Sequence, residues 1–289
     1  MFEEKSKLEN LYHALLINTK KLKIASKNSD LELRKMLLEY GSFLELFKLA
    51  YGPNKKIEDV PGYAKVLHDL ERIDSSYGIL TIKDEKFPTF LKNNPNNTPL
   101  IYYRGDLSLL EKESIGVVGT RELEEEVDIS EGKKIVQRLV EKDYVIVSGL
   151  AKGCDTLAHQ TAIDNKGKTI AVLGTPLNHN YPYENKSLQE KIAQEHLLIS
   201  QYPIGINIYP SYFAHRNNTT VSLSSEGVVV IRAGDKSGTQ HAIRTCLEQE
   251  KQLYALMNNY GKRYEWIKKY HDKIKVPNNP PEEKNGDKI

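Results

Sequence analysis

The 289-residue sequence contains only two cysteines, Cys154 and Cys246. Their spacing fits no metal-binding motif, and such sparse cysteine is typical of a reducing compartment, with both side chains buried. No stretch approaches the run of about 18 apolar residues that a membrane-spanning helix requires. The start, MFEEKSKLEN, is polar and acidic and lacks the apolar core of a secretory signal. We therefore expect a cytoplasmic protein with no metal site and no membrane association.

Neither positive nor negative charge is in large excess. The 41 lysines and arginines are nearly balanced by 39 aspartates and glutamates, which gives a formal net charge of +2. The total excludes neither an anionic nor a cationic partner, so the partner class has to come from local clusters. The length allows one large or two medium domains with a proper core.

The stretch from residue 114 to residue 159 has the pattern of a βαβ unit. Two short β-branched runs, residues 115–118 and 144–147, each end at a glycine-containing turn and enclose a helix-like segment. Four further apolar runs alternate with helix-like segments and lie at residues 169–173, 197–200, 228–231 and 253–256. The alternation predicts an α/β fold with a doubly wound, mostly parallel, Rossmann-like sheet.

Helical periodicity dominates residues 8–70. We expect a small helical N-terminal domain over residues 1–72, a Rossmann-like domain over residues 73–257, and a basic last helix with a disordered tail over residues 258–289. A Pro61-Gly62 turn resembles that of helix-hairpin-helix modules, which grip DNA phosphates. The usual second turn glycine is absent, which favours a protein-contact or spacer role for these helices.

Glycine- and hydroxyl-bearing turns follow three predicted strands, and the carboxyl ends of parallel strands are where open sheets bind ligands. The turn residues are Gly119, Thr120 and Arg121; Ser148, Gly149, Leu150, Ala151, Lys152 and Gly153; and Lys236, Ser237, Gly238 and Thr239. Backbone N–H groups at helix N-termini, with a nearby lysine, predict an anionic ligand. Asp155 is expected to cap the helix after the second turn. The alternative is a tight strand–helix turn without a ligand.

Aromatic and basic side chains occur together in YPSYFAHRNN, residues 209–218. Phe213 can stack on a base and Arg216 can hold a phosphate, which suits single-stranded nucleic acid. Taken alone, such a cluster is more often a packed loop. Tyr181 and Glu184 are either functional or, because Pro182 fixes a turn, structural.

Motifs for nucleotide cofactors and for catalysis are missing. The first turn has Gly116-x-x-Gly119 rather than G-x-G-x-x-G, and no acidic residue stands about 20 positions on at the end of a second strand. A nicotinamide cofactor is therefore not expected, and there is no Walker lysine motif. The histidines have no evident cysteine or serine partner, so we predict no catalytic residues and no cofactor.

Six segments, in this order, resemble the DprA/Smf family of bacterial DNA-processing proteins. They are GVVGTR (116–121), SGLAKGCDTLAH (148–159), KTIAVLGTPLNHNYPYEN (168–185), LLISQYPIG (197–205), FAHRNN (213–218) and AGDKSGTQHA (233–242). The resemblance covers residues 75 to 256 and implies a protein that binds single-stranded DNA and is not an enzyme. It further implies transfer of incoming strands to a RecA-type recombinase during natural transformation, and a homodimer.

Carried over by position, Arg121, Lys152 and Arg216 would hold phosphates and Phe213 would stack on a base. The three turns and Asn217 would complete the DNA groove, whose phosphate contacts carry little sequence information. The resemblance is incomplete. Glu122-Leu123-Glu124-Glu125-Glu126 follows the first arginine and would repel a DNA backbone, and Asn218 stands where the family has a second arginine.

Two other functions remain open. A sensor of a nucleotide-derived ligand, for instance in phage defence, needs the same turns but no extended groove. The LOG-type phosphoribohydrolases have a similar fold, but their acid/base glutamate corresponds to Ala242 here, which argues against hydrolysis. An interaction protein that works through its helical domain and basic C-terminal segment is the third class.

Overall fold

The computed structural model describes residues 2–73 and 76–277, so the disordered tail predicted at the end of residues 258–289 lies almost entirely outside the described residues. Its sheet contains β1 (Gly78–Thr81), β2 (Leu100–Gly105), β3 (Ser114–Val118), β4 (Val145–Ser148), β5 (Thr169–Leu173), β6 (Leu197–Ser200), β7 (Val228–Val230), β8 (Leu253–Ala255) and β9 (Ile274–Lys275). The helices are α1 (Phe2–Asn18), α2 (Ser29–Tyr40), α3 (Phe43–Tyr51), α4 (Tyr63–Glu71), α5 (Thr89–Lys92), α6 (Glu126–Glu141), α7 (Cys154–Asp164), α8 (Lys186–Glu195), α9 (Pro210–Ser222), α10 (Thr239–Glu248) and α11 (Glu265–Lys269).

The strand order is β1-β2-β6-β5-β4-β3-β7-β8-β9. Pairing is antiparallel between β1 and β2 and between β2 and β6, and parallel elsewhere. The chain winds outward from β3 first towards β6 and then towards β9, so the order reverses beside β3. This is the switch point where open α/β sheets bind ligands, and the predicted fold class is confirmed.

Both faces of the sheet are covered, because successive residues of a buried strand point to opposite sides. Val117 and Val229 belong to the core that includes α6 and α7. Their neighbours Val118 and Val230 belong to the core that includes α10. The near-continuous β-branched runs of the sequence therefore reflect burial on both faces.

The N-terminal helices pack against the sheet through a continuous apolar core. The side chain of Asn10 donates to the carbonyl of Ile204 and accepts from its N–H, both at 2.9 Å. His13 lies 2.8 Å from the Tyr102 hydroxyl and stacks on Phe43. Burial lowers the pKa of His13 to about 3. The division into domains at residues 72 and 257 stays a prediction.

Two segments differ from expectation. Residues 210–222 form α9 rather than a loop, because Pro210 is suited to a first helical turn and Tyr212 and Arg216 turn one face inward. The single last helix expected after residue 257 is instead a 3-10 helix, the short α11 and β9. Arg263, with a left-handed φ of 55°, interrupts it. Among the described residues, no helix is long and apolar enough to cross a bilayer.

Candidate nucleic-acid interface

A cleft of about 890 Å³ lies at the switch point, at the carboxyl ends of β3, β4 and β7. Of the predicted site residues it is lined by Gly119, Thr120, Arg121, Gly149, Ala151, Phe213, Arg216, Asn217, Lys236, Ser237, Gly238 and Thr239. The structure thus brings all three turns together with α9. The four others, Ser148, Leu150, Lys152 and Gly153, do not belong to the lining.

The first two turns are locked to each other. The N–H of Cys154 donates to the carbonyl of Thr120 at 3.0 Å, and the N–H of Thr120 donates to the carbonyl of Arg232 at 2.7 Å. Gly153 has a φ of +73°, and a Cβ at this position would collide with the carbonyls of Thr120 and Arg121. Glycine is therefore required here for packing, in a place where the sequence suggested access for a phosphate.

The second turn already holds a carboxylate of the protein. Asp155 accepts a hydrogen bond from the N–H of Ala151 at 3.3 Å, while the N-cap position of α7 is Gly153. The Ser148 hydroxyl donates to the carbonyl of Val117 at 2.6 Å and is buried. Burial raises the pKa of Asp155, and the nearby Arg216 charge opposes this shift only in part. Asp155 thus reaches back into the turn instead of capping the helix, and it occupies a donor that an external phosphate would need.

Lys152 lies outside the cleft lining. Its ammonium group pairs with Glu184 at 2.5 Å, and the two side chains are 56% and 64% exposed. Exposed pairs of this kind contribute little to stability. The hydrogen bond from Lys152 lowers the pKa of Glu184. The role of Lys152 as a phosphate ligand stays a prediction.

Arg216 is a buried support of the cleft, only 4% exposed. Its Nη1 donates to the carbonyl of Val172 at 2.6 Å, and its guanidinium fills the space where Gly149 has no side chain. Burial lowers its pKa, and the Asp155 carboxylate acts in the opposite direction. Asn218, which replaces the second family arginine, accepts a hydrogen bond from the Thr245 hydroxyl at 3.0 Å and thereby joins α9 to α10.

Phe213 forms an aromatic wall of the cleft. The exposed guanidinium of Arg121 lies over its ring at 5.7 Å from the centroid. Tyr181 is tilted against the same ring at 5.0 Å and is itself 51% exposed. Arg121 and Phe213 were both predicted as site residues from their positions in the sequence. For Tyr181 the sequence left structural and functional roles open, and the structure places its ring beside Phe213.

Arg232, which was not among the predicted site residues, also lines the cleft. It is buried and pairs with Asp128 at 3.3 Å and with Glu125 at 3.1 Å. Its position two residues after the end of β7 was the available signal. Lys262 also pairs with Glu125 at 2.8 Å, and this hydrogen bond is the main cause of the lowered Glu125 pKa. One carboxylate of the acidic segment is therefore neutralised from within the chain.

The third turn leads into α10. The Ser237 hydroxyl accepts from the N–H of Thr239 at 3.2 Å and donates to the Thr239 hydroxyl at 3.0 Å. Lys236 is exposed and lines the cleft, and within the described residues it has no ion pair. The same holds for Arg121 and Arg244. The cleft lining also contains two exposed carboxylates, Glu122 and Glu124, that have no ion pair within the described residues.

The two cysteines are fully buried, as predicted. Burial raises the pKa of both Cys154 and Cys246 to about 12, so both stay protonated thiols at neutral pH. Cys154 borders the first turn and serves as packing, since nucleophilic chemistry requires the thiolate.

Sequence comparisons place these features in a known group. A family model described as DNA recombination-mediator protein A matches residues 78–267. The DNA processing protein DprA of Streptococcus pneumoniae is 34% identical over 233 residues, covering 76% of this chain and 79% of the relative. The DNA processing protein DprA of Bacillus subtilis is 35% identical over 197 residues, covering 65% of this chain and 64% of the relative.

Solved structures agree with this assignment. The crystal structure of DprA from Streptococcus pneumoniae superposes with a TM-score of 0.62 at 27% identity, covering 87% of this chain and 81% of that one. A structure of DNA processing protein A from Helicobacter pylori, described for its single-stranded DNA binding mode, gives a TM-score of 0.59 at 26% identity and covers 70% and 91%. The chain belongs to the DNA recombination-mediator protein A family, which includes the DprA and Smf proteins.

Proposed function

We propose that the cleft binds single-stranded DNA along the carboxyl edge of the sheet. The observation that carries the proposal is the exposed Arg121 guanidinium over the half-buried ring of Phe213. A base-sized aromatic face beside a cation suits an unpaired nucleotide, because the ring stacks on a base and the guanidinium attracts phosphate. The Helicobacter pylori relative binds single-stranded DNA, which is the same class of ligand.

Phosphate attraction falls to Arg121, Lys236 and Arg244, the exposed lining cations that have no ion pair within residues 2–73 and 76–277. Arg232 and Arg216 contribute little directly, because both guanidinium groups are buried and hydrogen-bonded within the protein. If each of three cations displaces counterions from a single strand, the logarithm of the binding constant falls against the logarithm of salt with a slope of roughly −2.

The test is fluorescence anisotropy of labelled oligothymidine, titrated at several salt concentrations. Arg121→Ala should weaken binding and reduce the salt slope by about 0.7. Lys133→Ala is the matched control, because Lys133 is an exposed cation on α6 outside the cleft lining. An Arg121→Ala variant with the wild-type slope would refute the phosphate role, and no binding by the wild type at low salt would refute the function.

Stacking is tested separately at Phe213. Phe213→Ala should cost about 1–3 kcal/mol of binding free energy, whereas Phe213→Tyr keeps the ring and should bind nearly as the wild type does. An unchanged affinity for the alanine variant would contradict the stacking role. The salt slope should stay the same, because no charge is removed.

A nucleotide-derived small ligand is the second candidate. The cleft volume of about 890 Å³ lies within the usual range of small-molecule sites. Mononucleotides and duplex DNA serve as competitors in the same titration. Displacement of oligothymidine by a mononucleotide at comparable concentration would favour the small ligand, and displacement by single strands alone would favour the groove.

The finer role that we propose is recombination mediation without catalysis. The family description, DNA recombination-mediator protein A, supports mediation in general. In this proposal, bound strands pass to a RecA-type recombinase during DNA uptake, and the protein acts as a homodimer. Addition of the protein should shorten the lag before such a recombinase assembles on oligothymidine. An unchanged lag would contradict the mediator role, and a monomer in sedimentation with bound DNA would contradict the dimer.

A further inference from the structure

Tyr264 is a second aromatic side chain on the cleft wall, away from Phe213. It is half-buried, and one face of its ring lies 5.4 Å from the Arg232 guanidinium. Within the described residues its hydroxyl has no hydrogen-bond partner. The ring packs against the core that includes α10 and also borders the cleft next to Gly234, so part of it faces the cleft.

Tyr264 belongs to the C-terminal segment (residues 257–277), and the residues that follow it are hydrogen-bonded to the main part of the protein. The carboxylate of Asp235 accepts the backbone N–H groups of Glu265 at 3.1 Å and Trp266 at 3.0 Å. The indole N–H of Trp266 donates to the carbonyl of Ala233 at 2.7 Å, and Trp266 is buried. The residues directly after Tyr264 are thus fixed to residues 233–235, immediately before the third turn, so the ring is ordered before any ligand arrives.

Arg232 supports the ring instead of serving as a phosphate ligand. Its charge is already paired with Asp128 and Glu125, and its Nη1 donates to the carbonyl of Asn258 at 2.7 Å. A guanidinium held in this way covers one face of Tyr264. A nucleobase that stacks on this ring would gain an aromatic contact, and no further charged side chain is needed in the cleft.

The sheet sets the separation of the two aromatic positions. Phe213 packs on Gly174, directly after β5, and Tyr264 lies by Gly234, after β7. Strands β4 and β3 lie between β5 and β7, so three interstrand spacings separate the ends of β5 and β7 by about 14 Å. A single strand that runs from one of these positions to the other spans it with about four stacked nucleotides at ~3.4 Å each.

We propose that Tyr264 is a second nucleobase-stacking position, occupied by a later nucleotide of the same single strand that stacks on Phe213. The inference rests on the proposed function of the cleft. It assigns the C-terminal segment a direct part in binding, and it sets a minimum strand length for full affinity.

The experiment compares the affinities of a dodecathymidylate and a dithymidylate for the wild type, Tyr264→Ala and Tyr264→Phe, with the short strand measured by competition. Tyr264→Ala should lower the dodecamer affinity roughly 5- to 150-fold and leave the dimer affinity within about twofold. Tyr264→Phe should match the wild type on both. Met257→Ala is the control on the same segment, because Met257 is 62% exposed and outside the cleft lining.

Fluorescence of Trp266, the single tryptophan, reports whether the segment stays docked in each variant. An unchanged dodecamer affinity in a docked Tyr264→Ala variant would overturn the inference. Equal losses for the dimer and the dodecamer, or a Tyr264→Phe loss equal to that of alanine, would also overturn it. Failure of the proposed function is distinct, since the wild type would then bind neither strand.

Discussion

Replacing Gly149 with alanine tests how the cleft is supported. A Cβ built on Gly149 overlaps the guanidinium of Arg216, which is buried and hydrogen-bonded to the carbonyl of Val172 at 2.6 Å. The φ of Gly149 is not in the left-handed region, so alanine meets no backbone penalty there. The expected damage therefore comes from displacement of one buried charged side chain.

The magnitude follows from the bond that is lost. Breaking a buried hydrogen bond from a charged donor, and leaving that donor without a partner, costs about 2 kcal/mol. For a chain of this size, a loss of about 2 kcal/mol lowers the Tm by about 4–8 °C. Gly261→Ala is the matched control, because a Cβ at Gly261 has no neighbour within 4 Å and φ is not positive. The control should shift the Tm by little.

A double-mutant cycle makes the reasoning refutable. In an Arg216→Met background the Val172 hydrogen bond is already absent, so Gly149→Ala should cost less than about 0.5 kcal/mol. Urea denaturation measures the free energy of unfolding for the four proteins. An equal cost of Gly149→Ala in both backgrounds would show that the overlap with Arg216 is not the cause.

Three further predictions concern other parts of the chain. Burial lowers the pKa of His13 from the ordinary 6.5 to about 3 in the folded protein, so the free energy of unfolding decreases as pH falls from 6.5 towards 3. Between pH 6.5 and about 5.5 this decrease amounts to about 1 kcal/mol, and it should be absent in His13→Phe. Urea denaturation that shows the same pH dependence for His13→Phe and the wild type would contradict this. Lys251 donates to three carbonyls at the end of α9 at 2.7–2.8 Å, so Lys251→Met should destabilise by about 1–3 kcal/mol, and an unaltered Tm would count against that anchor. Lys262→Ala removes one partner of Glu125 and should weaken oligothymidine binding roughly 1.5- to 5-fold at low salt and less at high salt; a salt-independent loss would point to packing instead.

Much of the site follows from local pattern. The β-branched runs and the glycine turns placed three glycine-containing loops at one sheet edge, because parallel strands align their carboxyl ends. The helix over residues 210–222 was missed, since Tyr, Phe and Thr favour helix only weakly and tertiary burial of Tyr212 and Arg216 decides. The break in the last helix was also missed, because it depends on contacts between the C-terminal segment and residues 233–235, which are far away in sequence.

The order of residues along the chain was enough to establish the fold class, the family resemblance and most of the predicted residues that line the cleft, since each depends on periodicity or short motifs. Which charges are free to meet a ligand was decided only by tertiary structure. Arg216 and Arg232 are buried and bonded within the protein, and Lys152 pairs with Glu184, whereas Arg121 remains exposed. Burial and pairing bring together groups far apart in sequence, and no local pattern specifies them.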